Sequence, residues 1–338
     1  MKAIQVLEPG HIEIIDREIP QIESQDEVLI KVKYAGICGS DMHIYHGTSP
    51  VATYPRVIGH EFVGEVVETG RDVAHLKTGD RVVVEPIYYC GKCYSCKNGR
   101  PNVCENLQVL GVHRDGGFQE YVTVKGKNAH KFGDHLSWEE AVLIEPFTIA
   151  CQATWRGDVR KGDYVFIQGA GPIGLAILQY AKYRGGICIV SDIVESKLDQ
   201  AKNLGADYTI NVLMQDVASE IKRITGGMGA NVTIDAVCTP KTFEISVNVT
   251  SLAGRVVVMG FDNTPSQIPQ FAITKGELTI CGSRLQSNKF PEVIELFNRR
   301  KLNPTALVSH KMHFTQIKEA IKIIEDKSQN VSKMLLEF

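Results

Sequence analysis

A glycine-rich turn at residues 169–174, with the sequence GAGPIG, constrains the fold more than any other feature of the chain. It follows an apolar stretch at 164–168 that is typical of a buried strand, and it opens a helical pattern at 172–183. In this setting the first glycine permits a tight turn, the second lets backbone approach a pyrophosphate, and the third allows close packing of helix on strand. The helix N-terminus then offers unpaired N–H groups to phosphate. The motif therefore predicts a dinucleotide-binding unit.

Strands and helices alternate after this turn, as in a doubly wound parallel sheet. The apolar, strand-like runs are at 187–191, 208–211, 232–237, 255–259 and 278–281. The first 150 residues instead contain short β-type runs broken by glycine, which suggests a partly antiparallel, barrel-like domain. These runs are at 28–34, 62–67, 81–85 and 118–124. A length of 338 residues predicts about two domains, so we expect an α/β protein with one domain of each kind.

Asp192 ends the second strand of the predicted parallel sheet. An acidic side chain there can accept hydrogen bonds from both ribose hydroxyls and repels a 2′-phosphate, so it favours NAD over NADP. Lys197 in the following helical pattern could still approach the ribose or an added phosphate. The alternative is an ordinary surface aspartate after a glycine-rich turn. The dinucleotide site is favoured over this alternative, because strand, turn, helix and acidic residue follow one another in the order and spacing of such sites.

The charge balance excludes one class of partner. The 37 basic and 39 acidic residues give a net charge of −2, which leaves no electrostatic footprint for nucleic acid. No apolar run approaches the roughly 18 residues needed to cross a bilayer. Glu8 and Pro9 interrupt the N-terminus before a signal-peptide core could form. We therefore expect a cytoplasmic protein without a membrane partner. In the reducing cytoplasm, a cysteine cluster is more often a metal site than a disulfide framework.

Four of the nine cysteines lie close together, in the pattern C-x2-C-x2-C-x7-C. They are Cys90, Cys93, Cys96 and Cys104. Four thiolates at this spacing suit a closed tetrahedral zinc site, which is structural because no coordination position stays open. An iron–sulfur cluster and a set of disulfides are the alternatives. The scattered cysteines lie in apolar runs that are typical of core positions. They include Cys151, Cys188, Cys238 and Cys281.

A second set of metal-ligand residue types is dispersed over three fragments. The first contains Cys38, the second contains His60 beside Glu61, and the third contains Glu145. Cys38, His60 and a carboxylate would form a mixed sulfur, nitrogen and oxygen site that leaves room for water or substrate, as a catalytic zinc requires. Spacing alone does not assemble these residues. Each of them taken singly also has a structural explanation, such as a hydrogen-bonded core histidine.

Together the motifs resemble the zinc-dependent medium-chain alcohol dehydrogenase superfamily, in its sorbitol and threonine dehydrogenase-like branch. The resemblance covers essentially the whole chain. Its motifs are GICGSDMH at 36–43, GHEFVGEVVETG at 59–70, the four-cysteine lobe at 90–104, IEPF at 144–147 and GAGPIG at 169–174. It implies a GroES-like catalytic domain at 1–150 and 285–338, with a structural zinc lobe at 88–106. The NAD-binding Rossmann domain would occupy 151–284.

The resemblance also implies a catalytic zinc, in addition to the structural one. Its ligands would be Cys38, His60, water and a carboxylate, which either Glu61 or Glu145 supplies. Glu145 stands where alcohol dehydrogenase carries a second cysteine, as it does in polyol dehydrogenases. Zinc would act as a Lewis acid that lowers the pKa of the substrate hydroxyl, and hydride would pass to the nicotinamide ring.

Further roles follow from the same resemblance. Ser40 and His43 would relay the proton out of the site through the cofactor ribose, and Asp41 would hydrogen-bond His60. A surface turn is the alternative explanation for Ser40 and His43. The residues expected to contact the cofactor are Gly169, Gly171, Ile173, Gly174, Asp192, Lys197, Met259, Gly260, Phe261, Ile280 and Cys281.

The substrate is less constrained by the sequence. GVHRDGGF at 111–118 and GSR at 282–284 resemble a sub-branch that oxidises sugar acids, such as hexonates, at a secondary hydroxyl. We expect His113, Phe118 and Arg284 to contact the substrate. The alternatives are a neutral polyol dehydrogenase, then an L-threonine dehydrogenase, then a dinucleotide-binding protein without catalysis. The resemblance implies a homodimer or homotetramer, and the sequence does not decide between them.

Overall fold

The structure is a computed structural model that describes residues 1–261 and 263–338. These residues form two compact units. The first unit comprises residues 1–145, 290–300 and 304–338, and the second comprises 146–289 and 301–303. In the described part of the chain, none of the helices combines the length and the apolar character that crossing a membrane requires.

The N-terminal part of the first unit consists mainly of short strands. They are β1 (Lys2–Glu8), β2 (His11–Asp16), β3 (Glu27–Ile37), β4 (Arg56–Val57), β5 (Glu61–Thr69), β6 (Arg81–Val84), β7 (Ile87–Tyr88), β8 (Gln108–Val109), β9 (Tyr121–Lys125) and β10 (Ala129–Lys131). Its helices are α1 (Gly39–Tyr45), α2 (Tyr94–Lys97) and α3 (Trp138–Ala141). Single 3₁₀ turns lie at Pro101–Val103 and Gly126–Asn128.

Helix α4 (Ile144–Arg156) leads the chain into the second unit, where strands and helices alternate. The strands are β11 (Tyr164–Gln168), β12 (Ile187–Asp192), β13 (Tyr208–Asn211), β14 (Ala230–Asp235), β15 (Thr250–Val258) and β16 (Thr279–Gly282). The helices are α5 (Pro172–Tyr183), α6 (Glu195–Asn203), α7 (Val217–Ile224), α8 (Pro240–Val249) and α9 (Gln270–Gly276).

The chain then returns to the first unit. Its last elements are α10 (Phe290–Asn298), β17 (Val308–His313), α11 (Ile317–Glu325) and β18 (Lys333–Glu337). 3₁₀ turns lie at Pro304–Leu307, Phe314–Gln316 and Lys327–Gln329. β18 lies between β17 and β3 in the sheet, with Met334 opposite Ile37. The C-terminal strand is therefore a central strand of the first unit, although it is more than 290 positions from β3 in sequence.

The sheets have the two characters that the sequence predicts. In the first unit the main sheet has the order β10-β6-β5-β3-β18-β17, with β9 also paired to β3, and all its pairings except β17 with β18 are antiparallel. In the second unit the order is β13-β12-β11-β14-β15-β16, and every pairing is parallel. The predicted α/β fold class, a partly antiparallel β domain with a doubly wound sheet, is confirmed.

Strand limits differ from the sequence-based ones where a glycine or a backbone irregularity intervenes. The run predicted at 118–124 forms a strand only from Tyr121, because the amide of Phe118 donates to the carbonyl of Ile58 instead of a ladder partner. The run predicted at 255–259 begins earlier, at Thr250. A register shift accommodates Ala253, whose φ of 56° had no signature in the sequence.

Gly59 illustrates how the first unit is packed at the segment before His60. Its φ is +92°, a left-handed conformation that favours glycine. A Cβ at this position would overlap the aromatic ring of Phe118, which is fully buried in the core. Gly111 and Gly116 have no room for a Cβ either, because each of them lies against the backbone of Gly59.

We predict that Gly59→Ala destabilises the protein by about 2–4 kcal/mol, because backbone strain adds to overpacking against Phe118. Gly79→Ala is the matched control. Gly79 has a similar φ of +89°, but no atom lies near the position of its Cβ, so only the backbone cost of about 1 kcal/mol remains. Chemical denaturation of both variants measures the difference. Equal losses would show that the contact with Phe118 is not tight.

Candidate active site

The structure brings Cys38, His60 and Glu61 together. One potential ligand atom from each lies within 4.8 Å of the others. Cys38 precedes α1 at the end of β3, and Glu61 opens β5, which pairs with β3 so that Glu61 lies opposite Gly36. Cys38 and Glu61 are far apart in sequence, but they meet because β3 ends where its antiparallel partner β5 begins. Thiol, imidazole and carboxylate are the donor set that zinc accepts.

Asp41 connects the two segments that carry these ligands. Its Oδ2 accepts a hydrogen bond from the amide of Cys38 at 2.8 Å, and its Oδ1 accepts one from the amide of Gly59 at 3.1 Å. The same Oδ1 lies 3.6 Å from Nδ1 of His60. At this distance the hydrogen bond that the resemblance implies between Asp41 and His60 is not made, and the two groups interact through charge. Asp41 faces Nδ1, and Nε2 is the atom available to a metal ion.

The charges around His60 perturb its titration. Burial alone would lower the pKa of the imidazole, but the negative charges of Asp41 and Cys38 outweigh burial and raise the pKa well above its usual value. The site therefore attracts positive charge. A divalent cation bound to Nε2 would interact favourably with the same negative charges that favour the protonated imidazole.

Glu145 is buried at the start of α4, in the first unit, with 3% of its surface exposed. Burial raises the pKa of its carboxyl group to about 7, and the charge of His60 opposes that shift. The group of ligand atoms within 4.8 Å contains Glu61 and does not contain Glu145, among the residues that the structure describes. The two candidate carboxylates therefore differ in position, with Glu61 nearer to Cys38 and His60.

Lys333 is a site residue that the sequence analysis missed. It opens β18, it is 3% exposed, and its Nζ donates to both carboxylate oxygens of Glu61 at 2.8 Å. Burial favours the neutral amine, but the charges of Glu61 and Cys38 outweigh it and raise the pKa of Lys333. The available signal was a charged residue at the head of an otherwise apolar terminal strand, which is also typical of an exposed strand end.

Ser40 and His43 both lie on α1, three positions apart, and therefore on one face of the helix. The Oγ of Ser40 lies 3.5 Å from Nε2 of His60, beside the position that a metal ion would occupy. His43 is exposed, and its Nδ1 lies 2.9 Å from the hydroxyl of Thr48. The structure thus places a hydroxyl beside His60 and an exposed imidazole on the same face of α1.

The four cysteines of the lobe approach one another as ligands of a single ion would. Sγ–Sγ distances are 3.5 Å for Cys93–Cys96, 3.7 Å for Cys93–Cys104 and 3.5 Å for Cys90–Cys104. A tetrahedron of sulfurs around zinc has edges of about 3.8 Å, whereas a disulfide bond measures about 2.0 Å. The geometry therefore fits one tetrahedral zinc and not a set of disulfides, and it is too compact for a multinuclear cluster.

Hydrogen-bond donors surround two sulfurs of this lobe, those of Cys104 and Cys93. Sγ of Cys104 accepts from the amides of Cys90 and Asn106, both at 3.3 Å. The hydroxyl of Ser95, followed by backbone amides, lowers the pKa of Cys93 to about 5. Amide donors around thiolates are what a metal-binding cysteine lobe requires, because the ligand form is the deprotonated one.

In the second unit, the glycine turn has the geometry that the sequence predicts. Gly169 has a φ of +92°, nothing lies near the Cβ position of Gly171, and a Cβ at Gly174 would overlap the carbonyl of Gly169. The carboxylate of Asp192 accepts hydrogen bonds from the amides of Ala170, at 2.8 Å, and Val194, at 3.0 Å. These two bonds hold the acid at the mouth of the turn.

The other expected cofactor residues also lie in the second unit, on or directly after its helices and strands. Ile173 is in the first turn of α5, and Lys197 is on α6. Met259, Gly260 and Phe261 follow the carboxyl end of β15, and Ile280 and Cys281 lie in β16. The carboxyl ends of parallel strands border the ligand crevice in folds of this type.

The three expected substrate residues have different surroundings. Nδ1 of His113 accepts a hydrogen bond from the amide of Val109 within a turn, at 3.2 Å. Phe118 is fully buried in the hydrophobic core, where it packs against Gly59, so the structure gives it a packing role instead of a substrate contact. Arg284, in the second unit, is exposed and lies over the ring of Phe261, 5.7 Å from its centroid.

The chain matches the models of two known protein families. The Alcohol dehydrogenase GroES-like domain matches residues 24–134, and the Zinc-binding dehydrogenase domain matches residues 172–299. The Starvation-sensing protein RspB of Escherichia coli (strain K12) is 44% identical over 340 residues, covering 100% of this chain and 99% of that protein. The chain belongs to the zinc-dependent medium-chain alcohol dehydrogenase superfamily. It is an enzyme of the alcohol and polyol dehydrogenase class.

Other members of the superfamily match over nearly their whole length. L-galactonate-5-dehydrogenase of Escherichia coli (strain K12) is 34% identical, covering 94% of each chain, and sorbitol dehydrogenase of Bacillus subtilis (strain 168) is 34% identical, covering 95% and 93%. The crystal structure of RspB from E. coli CFT073, complexed with NADH, has a TM-score of 0.95 at 44% identity and covers 100% of this chain and 99% of that one.

We predict that the two metal sites separate by mutation. Cys93→Ser should remove one zinc and lower the free energy of unfolding by at least about 2 kcal/mol, because the lobe loses the ion that organises it. Cys38→Ser should remove the other zinc with little loss of stability, and should lower turnover at least about 100-fold. Metal analysis and thermal unfolding of both variants test this. The reverse pattern would mean that the structural and catalytic assignments are exchanged.

Proposed function

We propose that the protein oxidises a secondary hydroxyl of a polyhydroxylated substrate, a sugar acid of the hexonate type, and transfers the hydride to NAD. The observation that carries the proposal is the convergence of Cys38, His60 and Glu61 beside the hydroxyl of Ser40. A protein that only binds a dinucleotide needs neither a mixed-ligand metal centre nor a hydroxyl directed at it.

Cys38, His60 and one of the carboxylates Glu61 and Glu145 would hold the catalytic zinc, and the four-cysteine lobe would hold the structural one. When bound, zinc supplies Lewis-acid chemistry that lowers the pKa of the substrate hydroxyl, and NAD supplies the hydride acceptor. Asp41 ties the segment of His60 to that of Cys38 and would keep a negative charge beside the Nδ1 of His60.

Ser40 and His43 would move the proton that the substrate hydroxyl loses. The Oγ of Ser40 would accept that proton and pass its own outward. His43, on the same face of α1 and exposed, would release a proton to solvent. The Thr48 hydroxyl at 2.9 Å restrains the imidazole during this transfer.

The cofactor would lie on the glycine turn, with its pyrophosphate at the N-terminus of α5 and its ribose hydroxyls on Asp192. The NADH bound in the RspB structure supports this proposal. The chain would act in the cytoplasm as a homodimer or homotetramer, in line with the expectation drawn from the resemblance.

We predict that Asp192→Ala lowers the ratio of kcat/KM for NAD over NADP at least about tenfold, because the charge that repels a 2′-phosphate is removed. Asp199→Ala on the exposed face of α6 is the matched control and should leave the ratio unchanged. Asp192→Asn, which keeps an acceptor for the amide of Ala170, separates the loss of charge from local disorder. Steady-state kinetics with both cofactors measures the ratio, and equal use of both by the unchanged enzyme would contradict the proposal.

The sugar-acid assignment depends on Arg284, whose permanent charge and forked donors suit a carboxylate. Similarity to L-galactonate-5-dehydrogenase supports the assignment, and the equal similarity to sorbitol dehydrogenase makes a neutral polyol the second candidate. A panel of aldonates, polyols and L-threonine, assayed by hydride transfer to NAD, decides among the three substrate classes. Activity on none of them would favour a binding protein without catalysis.

We predict that Arg284→Ala lowers kcat/KM for an aldonate about 10- to 150-fold, the scale of a charge-assisted hydrogen bond of about 1.5–3 kcal/mol. The effect on a neutral polyol should be much smaller, because no ionised partner is lost. Arg299→Ala, which removes an exposed arginine paired with Glu295, is the control and should change neither value. Equal losses on both substrates would show that Arg284 serves hydroxyl groups or structure.

A further inference from the structure

Lys333 is a buried cation to which the proposed chemistry gives no task. Its Nζ lies 2.8 Å from each carboxylate oxygen of Glu61 and donates a third hydrogen bond to the carbonyl of Ile37 at 3.3 Å. The two side chains are 3% and 1% exposed. A buried charge is costly unless it is paired and hydrogen-bonded, and here all three donors of the ammonium have acceptors. The pair is therefore a specific feature of the site.

The backbone is shaped for the same position of Glu61. Gly36 lies directly opposite Glu61 in the pairing of β3 with β5. A Cβ at Gly36 would overlap Oε2 of Glu61, so the absent side chain provides the space that the carboxylate occupies. Lys333 reaches the same carboxylate from β18, which pairs with the end of β3 at Ile37. Two independent features, a cation and a gap in the strand, thus hold the carboxylate in one place.

We infer that Lys333 is a positioning residue that holds Glu61 off the catalytic metal in the resting protein. A carboxylate that accepts N–H bonds on both oxygens from an ammonium is a weak donor to a metal ion. One of its oxygens lies within 4.8 Å of the ligand atoms of Cys38 and His60. Glu61 is then a reserve ligand, and Glu145, water or substrate takes the coordination position. This inference rests on the proposed function, since it requires a metal at Cys38 and His60.

The experiment replaces the catalytic zinc by cobalt(II), with zinc kept in the four-cysteine lobe, and records the visible absorption, which reports the number and type of ligands. In Lys333→Met we expect the spectrum to change as Glu61 joins the metal. Removal of cobalt by a chelator should slow about tenfold, because the competing charge-assisted hydrogen bonds are lost. An unchanged spectrum would overturn the inference.

Two further variants keep the test decisive if Lys333→Met folds poorly. The double variant Lys333→Met with Glu61→Gln removes both buried charges, and its spectrum should match that of the unchanged protein. A different spectrum would show that Glu61 is already a ligand and would overturn the inference. Lys333→Arg retains the cation and should preserve the original spectrum.

Lys131→Met is the control for loss of a lysine ion pair in the same unit, since Lys131 pairs with Asp80 at 2.9 Å. It should alter neither the spectrum nor the rate of cobalt removal. If the unchanged protein binds no cobalt outside the lobe, the metal site fails and the proposed function fails with it. Bound cobalt that is insensitive to Lys333 overturns only the role of Lys333.

Discussion

One buried carboxylate, that of Asp41, unites the segments on which the rest of the site depends. It accepts amide hydrogen bonds from Cys38 and from Gly59, which belong to stretches of chain that the loop after α1 separates. Without such an acceptor, both amides would lose water on burial and gain nothing in return. The same carboxylate lies 3.6 Å from Nδ1 of His60, so one side chain both ties the ligand segments together and places a negative charge beside the imidazole.

This arrangement concentrates charge in a place that excludes water. Asp41, Glu61 and Glu145 are each no more than 3% exposed, and the thiol of Cys38 lies next to them. Isolated charges in such surroundings would cost several kcal/mol each. Lys333 offsets part of this cost, and a divalent cation at Cys38 and His60 would offset more. The buried acids of the site therefore favour binding of a cation there.

The local motifs could be interpreted from the sequence because the residues that form each of them lie within one short segment of the chain. The lobe of Cys90, Cys93, Cys96 and Cys104 and the turn beginning at Gly169 adopt the geometry that their spacing predicts. Phe118 could not be placed in this way. An aromatic residue after two glycines fits a substrate loop as well as a core position, and only its packing against Gly59 distinguishes them.

The sequence by itself determined the alternation of strands and helices, the four-cysteine lobe, the glycine turn and the acid that follows it. Each depends on residues within one short segment or one strand–turn–helix–strand unit, so residue type and spacing suffice. The tertiary structure alone decided that Lys333, 272 positions away, pairs with Glu61, and that Gly36 makes room for the carboxylate. Such contacts depend on which strands become neighbours in a sheet. That choice is made by burial of the whole core, and no local pattern encodes it.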